Sequence, residues 1–177
     1  YAQKAAEYLR DIQWGPRDPL PDRIFRHKLD IDKPFKNGLF TIDELEYILH
    51  KIKNNKTPGP DGIVGELLKW LNIDNRLTFL NIINNMIQKG ELEPDLNLAS
   101  VASIYKKGNS SNLANYRPIS LLQNSYKVTS ALIKERIDEA LDEYINKTQF
   151  GFRKKKSTSE AIFVTRRILD MAEKQGT

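Results

Sequence analysis

Apolar residues recur at helical spacing along most of this 177-residue chain, and give way to alternation chiefly around residues 100–106. A period of about 3.6 marks amphipathic helix and a period of 2 marks strand. The chain is therefore expected to be α+β and mostly helical, with one small antiparallel element. Thr41 and Glu44 form the sequence pattern of a capping box, with Ile42, Leu45, Ile48, Leu49 and Ile52 behind it. That helix should end near Asn54, because Lys56-Thr57-Pro58-Gly59-Pro60-Asp61-Gly62 cannot continue any helix. A second helix is expected over 64–71, with Asp61 a candidate cap. A third should run from an Asp74 cap to Lys89, with Leu77, Leu80, Ile83 and Ile87 inward and Gly90 as the stop.

The alternating run puts Val101, Ser103 and Tyr105 on one face and Ala102 and Ile104 on the other. Ile119 to Leu122 can pair with it across the loop that starts at Gly108. The longest helix is expected over 125–145, its stripe made by Leu132, Ile133, Ile137, Ala140, Leu141 and Ile145. A last helix should start at the Ser157/Glu160 capping box, with Ala161, Thr165, Ile168 and Ala172 along one side. A short helix is expected over 2–12. Residues 14–37, with Pro16, Pro19, Pro21 and Pro34, read as an irregular connector.

Composition excludes several function classes. There is no cysteine, so no disulfide framework and no thiolate zinc site can exist. His27 and His50 sit among charged neighbours and read as solvated. No apolar run approaches the roughly 20 residues that a bilayer-spanning helix needs, and no membrane partner is expected. The chain opens at Tyr1 rather than Met, which predicts a piece of a longer protein. Basic side chains number 14 before position 101 against 15 acidic (−1), and 14 from there on against 8 (+6). A surplus confined to one end favours an anionic partner such as nucleic acid.

Two cationic features carry the chemistry. Lys106 and Lys107 close a strand beside Gly108, and Arg117 sits on the return strand before Pro118. Two cations on a hairpin can neutralise a polyphosphate, and a guanidinium can hold two of its oxygens at once. The plain alternative is a hairpin edge whose lysines discourage pairing with another edge. Farther on, Arg153-Lys154-Lys155-Lys156 directly precedes a helix N-terminus, where free N–H groups already favour an anion. Phe150 and Phe152 offer flat surfaces for a base. The alternative here is a solvated basic turn with two core phenylalanines. Nuclear targeting is a further use of the run, and an intracellular place, nucleus or cytoplasm, is expected. No paired aspartates lie on adjacent strands, and Asp138, Asp142 and Asp170 fall on helical segments, so no catalytic residue and no metal site is expected within the chain.

Three segments in order resemble the front of the reverse transcriptases of non-LTR (LINE-type) retrotransposons. The first is Lys56-Thr57-Pro58-Gly59-Pro60-Asp61-Gly62-Ile63. The second is Ile104 to Gly108 with Asn115-Tyr116-Arg117-Pro118-Ile119-Ser120-Leu121-Leu122 and Lys127. The third is Gln149-Phe150-Gly151-Phe152-Arg153 with Ser157-Thr158 and Ala161-Ile162. The family usually has a tryptophan near Leu96–Asn97 and a proline where Ser103 stands; this chain has neither.

The resemblance implies the fingers subdomain of a right-hand polymerase. Residues 1–40 would be a leading helix and connector, 41–98 a helical extension, and 99–177 the fingers, ending before the palm against which they pack. It implies that Lys106 and Arg117 contact a dNTP triphosphate. It also implies that Gln149, Gly151, Phe152 and Arg153 shape or touch the template path; Lys107, Lys154, Lys155 and Lys156 are expected from their charge to be further nucleic-acid contacts. The full-length parent would act on an RNA template, a DNA primer and dNTPs with Mg²⁺, whose ligands lie outside this chain. A non-catalytic nucleic-acid-binding module derived from such an element is the alternative, and a helical protein-interaction domain with a merely solubilising basic half is a third.

Overall fold

The computed structural model describes residues 2–15 and 36–175, and the chain divides into two compact units. One holds residues 1–30 and 38–132, the other residues 31–37 and 133–177. Most of the expected connector, and His27 with it, lies outside the described residues. The described residues form six α-helices and one two-stranded antiparallel sheet, an α+β arrangement that is mostly helical. No helix among them is long and apolar enough to cross a membrane.

In the first unit, α1 (Ala2–Tyr8) runs on into one π-helical turn, Leu9–Gln13. The capping box opens α2 (Ile42–Lys51): the Thr41 hydroxyl accepts from the Glu44 N–H at 3.3 Å, and the Thr41 N–H donates to Glu44 Oε2 at 2.8 Å. His50 is exposed in its last turn. Helix α3 (Gly65–Lys69) is short, and α4 (Ile73–Lys89) stops at Gly90, whose φ of 69° suits a residue without Cβ. Leu45, Ile48 and Leu49 of α2 pack with Leu68 of α3, Leu80, Ile83 and Met86 of α4, and Val128 and Leu132 of α5 (Asn124–Leu141). Asn84 lies buried in this core. Its amide donates to the Phe40 carbonyl at 3.0 Å and accepts the Phe40 N–H at 2.8 Å, so the strand-like entry to α2 is tied to the middle of α4.

The cap of α4 is Asn72, whose side chain accepts from the Asn75 N–H, and not Asp74, which falls inside the first turn. Asp61 does not cap α3; its carboxylate accepts from the Ile63 N–H instead, and Val64 occupies the cap without a side-chain bond. Leu77 and Ile87 are exposed, because the neighbours of α4 cover the turns from Leu80 to Met86. On α5 the buried apolar positions begin at Val128, and Ile133 and Ile137 are partly exposed.

The loop with two prolines is fixed by close backbone approach. Gly62 N–H donates to the Gly59 carbonyl at 3.1 Å, closing a turn over Pro60 and Asp61. A Cβ on Gly59 would come within 2.5 Å of the Gln123 nitrogen, so glycine is required where this loop crosses the end of β2. Gln123 donates to the Asp95 carbonyl at 2.9 Å and Asn124 to the Ile63 carbonyl at 2.7 Å, which holds three distant segments at one point.

β1 (Ala99–Tyr105) pairs with β2 (Tyr116–Leu122) from Ala99↔Leu122 to Tyr105↔Tyr116. β2 starts three residues earlier than the alternating pattern indicated, because Tyr116, Arg117 and Pro118 also join the ladder. Ser103, Tyr116 and Pro118 on one face border a small cleft whose other wall is Ala5, Tyr8, Leu9 and Gln13 of the leading helix.

In the second unit, α5 ends at Leu141 rather than near 145, and α6 (Thr158–Gln175) follows. Its box is formed as expected: the Ser157 N–H donates to Glu160 Oε2 at 2.8 Å and the Glu160 N–H to Ser157 Oγ at 3.3 Å. No residue of α6 is buried; Ala161 and Ala172 are half-buried, whereas Thr165 and Ile168 of the expected inward side are exposed.

Candidate nucleotide and nucleic-acid contact sites

The hairpin of the first unit displays its cations on one face. Ile104 lies opposite Arg117, and the Lys106 N–H continues the ladder to the Asn115 carbonyl at 2.8 Å. Residues two apart on a strand share a face, so Lys106 and Arg117 stand diagonally across the ladder, on the side turned away from Tyr105 and Tyr116. Both are exposed, and no hydrogen bond or ion pair engages either side chain among the described residues. Lys107 follows at the loop's start, exposed on the edge.

The loop between the strands is held by its own side chains. Tyr105 Oη donates to the Gly108 carbonyl, Tyr116 Oη to the Ser110 carbonyl at 3.0 Å, and the Asn115 amide to the Asn109 carbonyl at 2.9 Å. The two tyrosine rings meet at 5.4 Å in a tilted pair. Gly108 has φ 97°, and a Cβ there would come within 2.8 Å of the Asn115 amide nitrogen. Asn115 and Tyr116 thus act as staples of the loop, leaving Arg117 as the outward member of the segment.

The basic turn of the second unit is divided. The Arg153 side chain is only 13% exposed. Its Nε donates to Asp142 Oδ1 at 2.9 Å, one terminal nitrogen to the Asp142 carbonyl at 2.6 Å, and the other to the Asn146 carbonyl at 3.4 Å. This guanidinium closes the end of α5, where free carbonyls favour a cation. The hydrogen bond from Arg153, helped by the charges of Lys154 and Lys156, holds the Asp142 carboxyl below its ordinary range. Lys154 Nζ reaches Glu135 at 2.9 Å and Asp138 at 3.6 Å, and these partners raise its pKa, the Glu135 bond most. Asp138 also pairs with Lys134 one turn back.

Phe152 is fully exposed, which removes it from any core, and Phe150 is half-buried with Lys156 Nζ 5.9 Å above its ring. Phe152 and Lys155 both hold left-handed backbone, φ 60° and 58°. Lys155 and Lys156 are exposed. The Gln149 amide donates to the Gly151 carbonyl at 3.1 Å, closing the turn from within. Sequence reasoning set Asp138 and Asp142 aside as members of helical segments and did not consider Glu135. Their spacing of three and then four residues puts them on one helical face, which is the signal that could have paired them with the basic run.

No protein-family profile matches the chain. Curated sequences do. A transposon TX1 protein of 149 kDa from Xenopus laevis is 29% identical over 159 residues, 90% of this chain. The RNA-directed DNA polymerase of mobile element jockey from Drosophila funebris is 30% identical over 75% of the chain, and the Pol polyprotein of the type-1 retrotransposable element R1 from Bradysia coprophila is 31% identical over 75%. The chain is homologous to non-LTR retrotransposon reverse transcriptases. It spans about an eighth of the length of these relatives, 12–15%. Among the described residues of this non-LTR homologue no three His, Asp or Glu side chains come together as a metal site.

Proposed function

We propose that this chain is the N-terminal extension and fingers portion of an RNA-directed DNA polymerase, contributing grip on the dNTP triphosphate and on the template. In this reading residues 41–98 form the helical extension and residues 99–177 the fingers, which pack against a palm elsewhere in the longer protein. The parent transfers a nucleotidyl group from a dNTP to a primer 3′ end on an RNA template, with carboxylate-held Mg²⁺ supplied by that other part.

The observation that carries the proposal is the open cationic face of the hairpin, with Lys106 and Arg117 exposed and unengaged among the described residues. A planar guanidinium can take two phosphate oxygens, and an ammonium adds a point charge beside it. Edge protection alone would be served by lysines at the edge, without a loop stapled by Tyr105, Asn115 and Tyr116 to fix where the cations stand. The basic turn, with Phe152 in the open, supports a template contact through stacking and phosphate neutralisation.

A fluorescence-anisotropy titration of the chain with single-stranded RNA across a salt series tests the nucleic-acid part. Engagement of three to five phosphates gives a log–log slope of roughly −2 to −4, at about −0.7 for each on a single strand, without sequence preference. A folded chain that fails to bind at low salt would overturn the template role.

A further inference from the structure

The four adjacent cations of the basic run do not face the same way, and this points to a division of labour within it. Every guanidinium nitrogen of Arg153 is engaged, on Asp142 Oδ1, the Asp142 carbonyl and the Asn146 carbonyl. Lys154 is bound to Glu135 and Asp138 on the preceding helix. Arg153 is only 13% exposed and two carboxylates already offset the charge of Lys154, so each is less available to a phosphate than a lysine without such partners. On either side of them, Phe152 stands wholly in solvent on left-handed backbone, and Lys155, also left-handed, stands exposed with Lys156. A phenylalanine gains nothing from water and a left-handed non-glycine residue is unfavourable by itself, so something must hold the turn in this form.

We propose that Arg153 and Lys154 are positioning residues that fasten the turn to α5, and that Phe152, Lys155 and Lys156 are the surface so presented to single-stranded nucleic acid. This rests on the template reading given above, and adds to it a set of residues that never touch the ligand: Arg153, Lys154, Asp142, Glu135 and Asp138. Asp142 is the most telling of these. As a bare negative charge beside a phosphate-binding turn it should oppose binding, and its removal should help. As the anchor of Arg153 it should favour binding, and its removal should harm.

The test uses the 177-residue chain and a single-stranded oligonucleotide carrying 2-aminopurine, with anisotropy read across a salt series and base stacking read as quenching. Phe152→Ala should weaken binding, abolish quenching and leave the salt slope alone. Lys155→Gln with Lys156→Gln should flatten the slope by about 1.4, at about 0.7 for each phosphate no longer neutralised. Lys154→Gln should leave the slope unchanged. Asp142→Leu should weaken binding about 5- to 10-fold and lose the quench although it makes the protein more basic, whereas Asp142→Asn, which keeps an oxygen acceptor for Arg153 Nε, should retain both.

Circular dichroism checks that each variant folds, and the Asn variant carries the test if Leu does not. Tighter or unchanged binding by folded Asp142→Leu, or by Asp142→Asn a gain in affinity with the quench lost, overturns the fastening role. A loss of slope in Lys154→Gln equal to that in Lys155→Gln overturns the division of the run. If the wild-type chain itself neither binds nor quenches, the template reading falls, and that result is distinct from either of the others.

Discussion

Asn84 shows how a polar residue can be placed in a core without loss. Both halves of its amide are used on Phe40, so the side chain satisfies the backbone of a segment that has not yet entered its helix. Asn84→Ala strips partners from a buried N–H and a buried carbonyl, and should lower unfolding stability by about 1–3 kcal/mol in urea denaturation. Asp142 supplies a second residue-scale expectation. Its folded-state pKa is depressed by the Arg153 hydrogen bond, so the contribution of this pair is present above the ordinary aspartate range, about 3.9, and is lost as pH falls through the lower folded value. An NMR titration of the Asp142 carboxyl should show that lowered midpoint in the native chain. In Arg153→Lys, whose single nitrogen lacks the planar fork of the guanidinium, the midpoint should move up toward the ordinary value.

The hairpin shows what one element contributes when its face is set from inside. Cross-strand pairing puts Arg117 opposite Ile104 and Lys106 two positions farther along the ladder on the same face, and the stapled loop fixes the turn that joins them. In a polymerase that carries this segment together with its palm, Arg117→Ala should lower kcat/KM for dNTP about 30- to 900-fold. That corresponds to about 2–4 kcal/mol for a charge-assisted contact at the reacting phosphate. Lys106→Ala should act in the same direction with smaller effect, since an ammonium lacks the fork. Steady-state kinetics with varied dNTP concentration make the comparison. Unchanged kinetics in both variants, with the fold intact, would return these cations to edge protection and favour a non-catalytic nucleic-acid-binding role.

Taken as a molecule, the 177-residue chain carries, in the reading proposed above, cations for nucleotide and template, and among its described residues no three His, Asp or Glu side chains come together as a metal site. Purified alone, it should give no template-dependent incorporation in a primer-extension assay on RNA with Mg²⁺ or Mn²⁺. Incorporation above background would place a working metal site within the chain. The segmentation along the chain was legible because local physics writes it into short windows. Thr41/Glu44 and Ser157/Glu160 are complete capping boxes within four residues, Gly90 ends a helix by its own backbone freedom, and the change of period at 100–106 marks the strand. Relationship to the non-LTR reverse transcriptases was legible too, since it rests on ordered residue strings.

What the sequence could not determine was the direction in which residues face once distant segments meet. The glycine of the proline loop is explained only by the Gln123 backbone 64 residues later (123 − 59), and Leu77 and Ile87 lie outside because of how far their neighbours reach along α4. Phe152, readable as core, is in solvent, while Arg153 beside it is drawn inward onto Asp142. Periodicity and capping are properties of one segment, so composition and order reveal them. Burial and ion pairing belong to pairs of segments, and only the tertiary structure decides them.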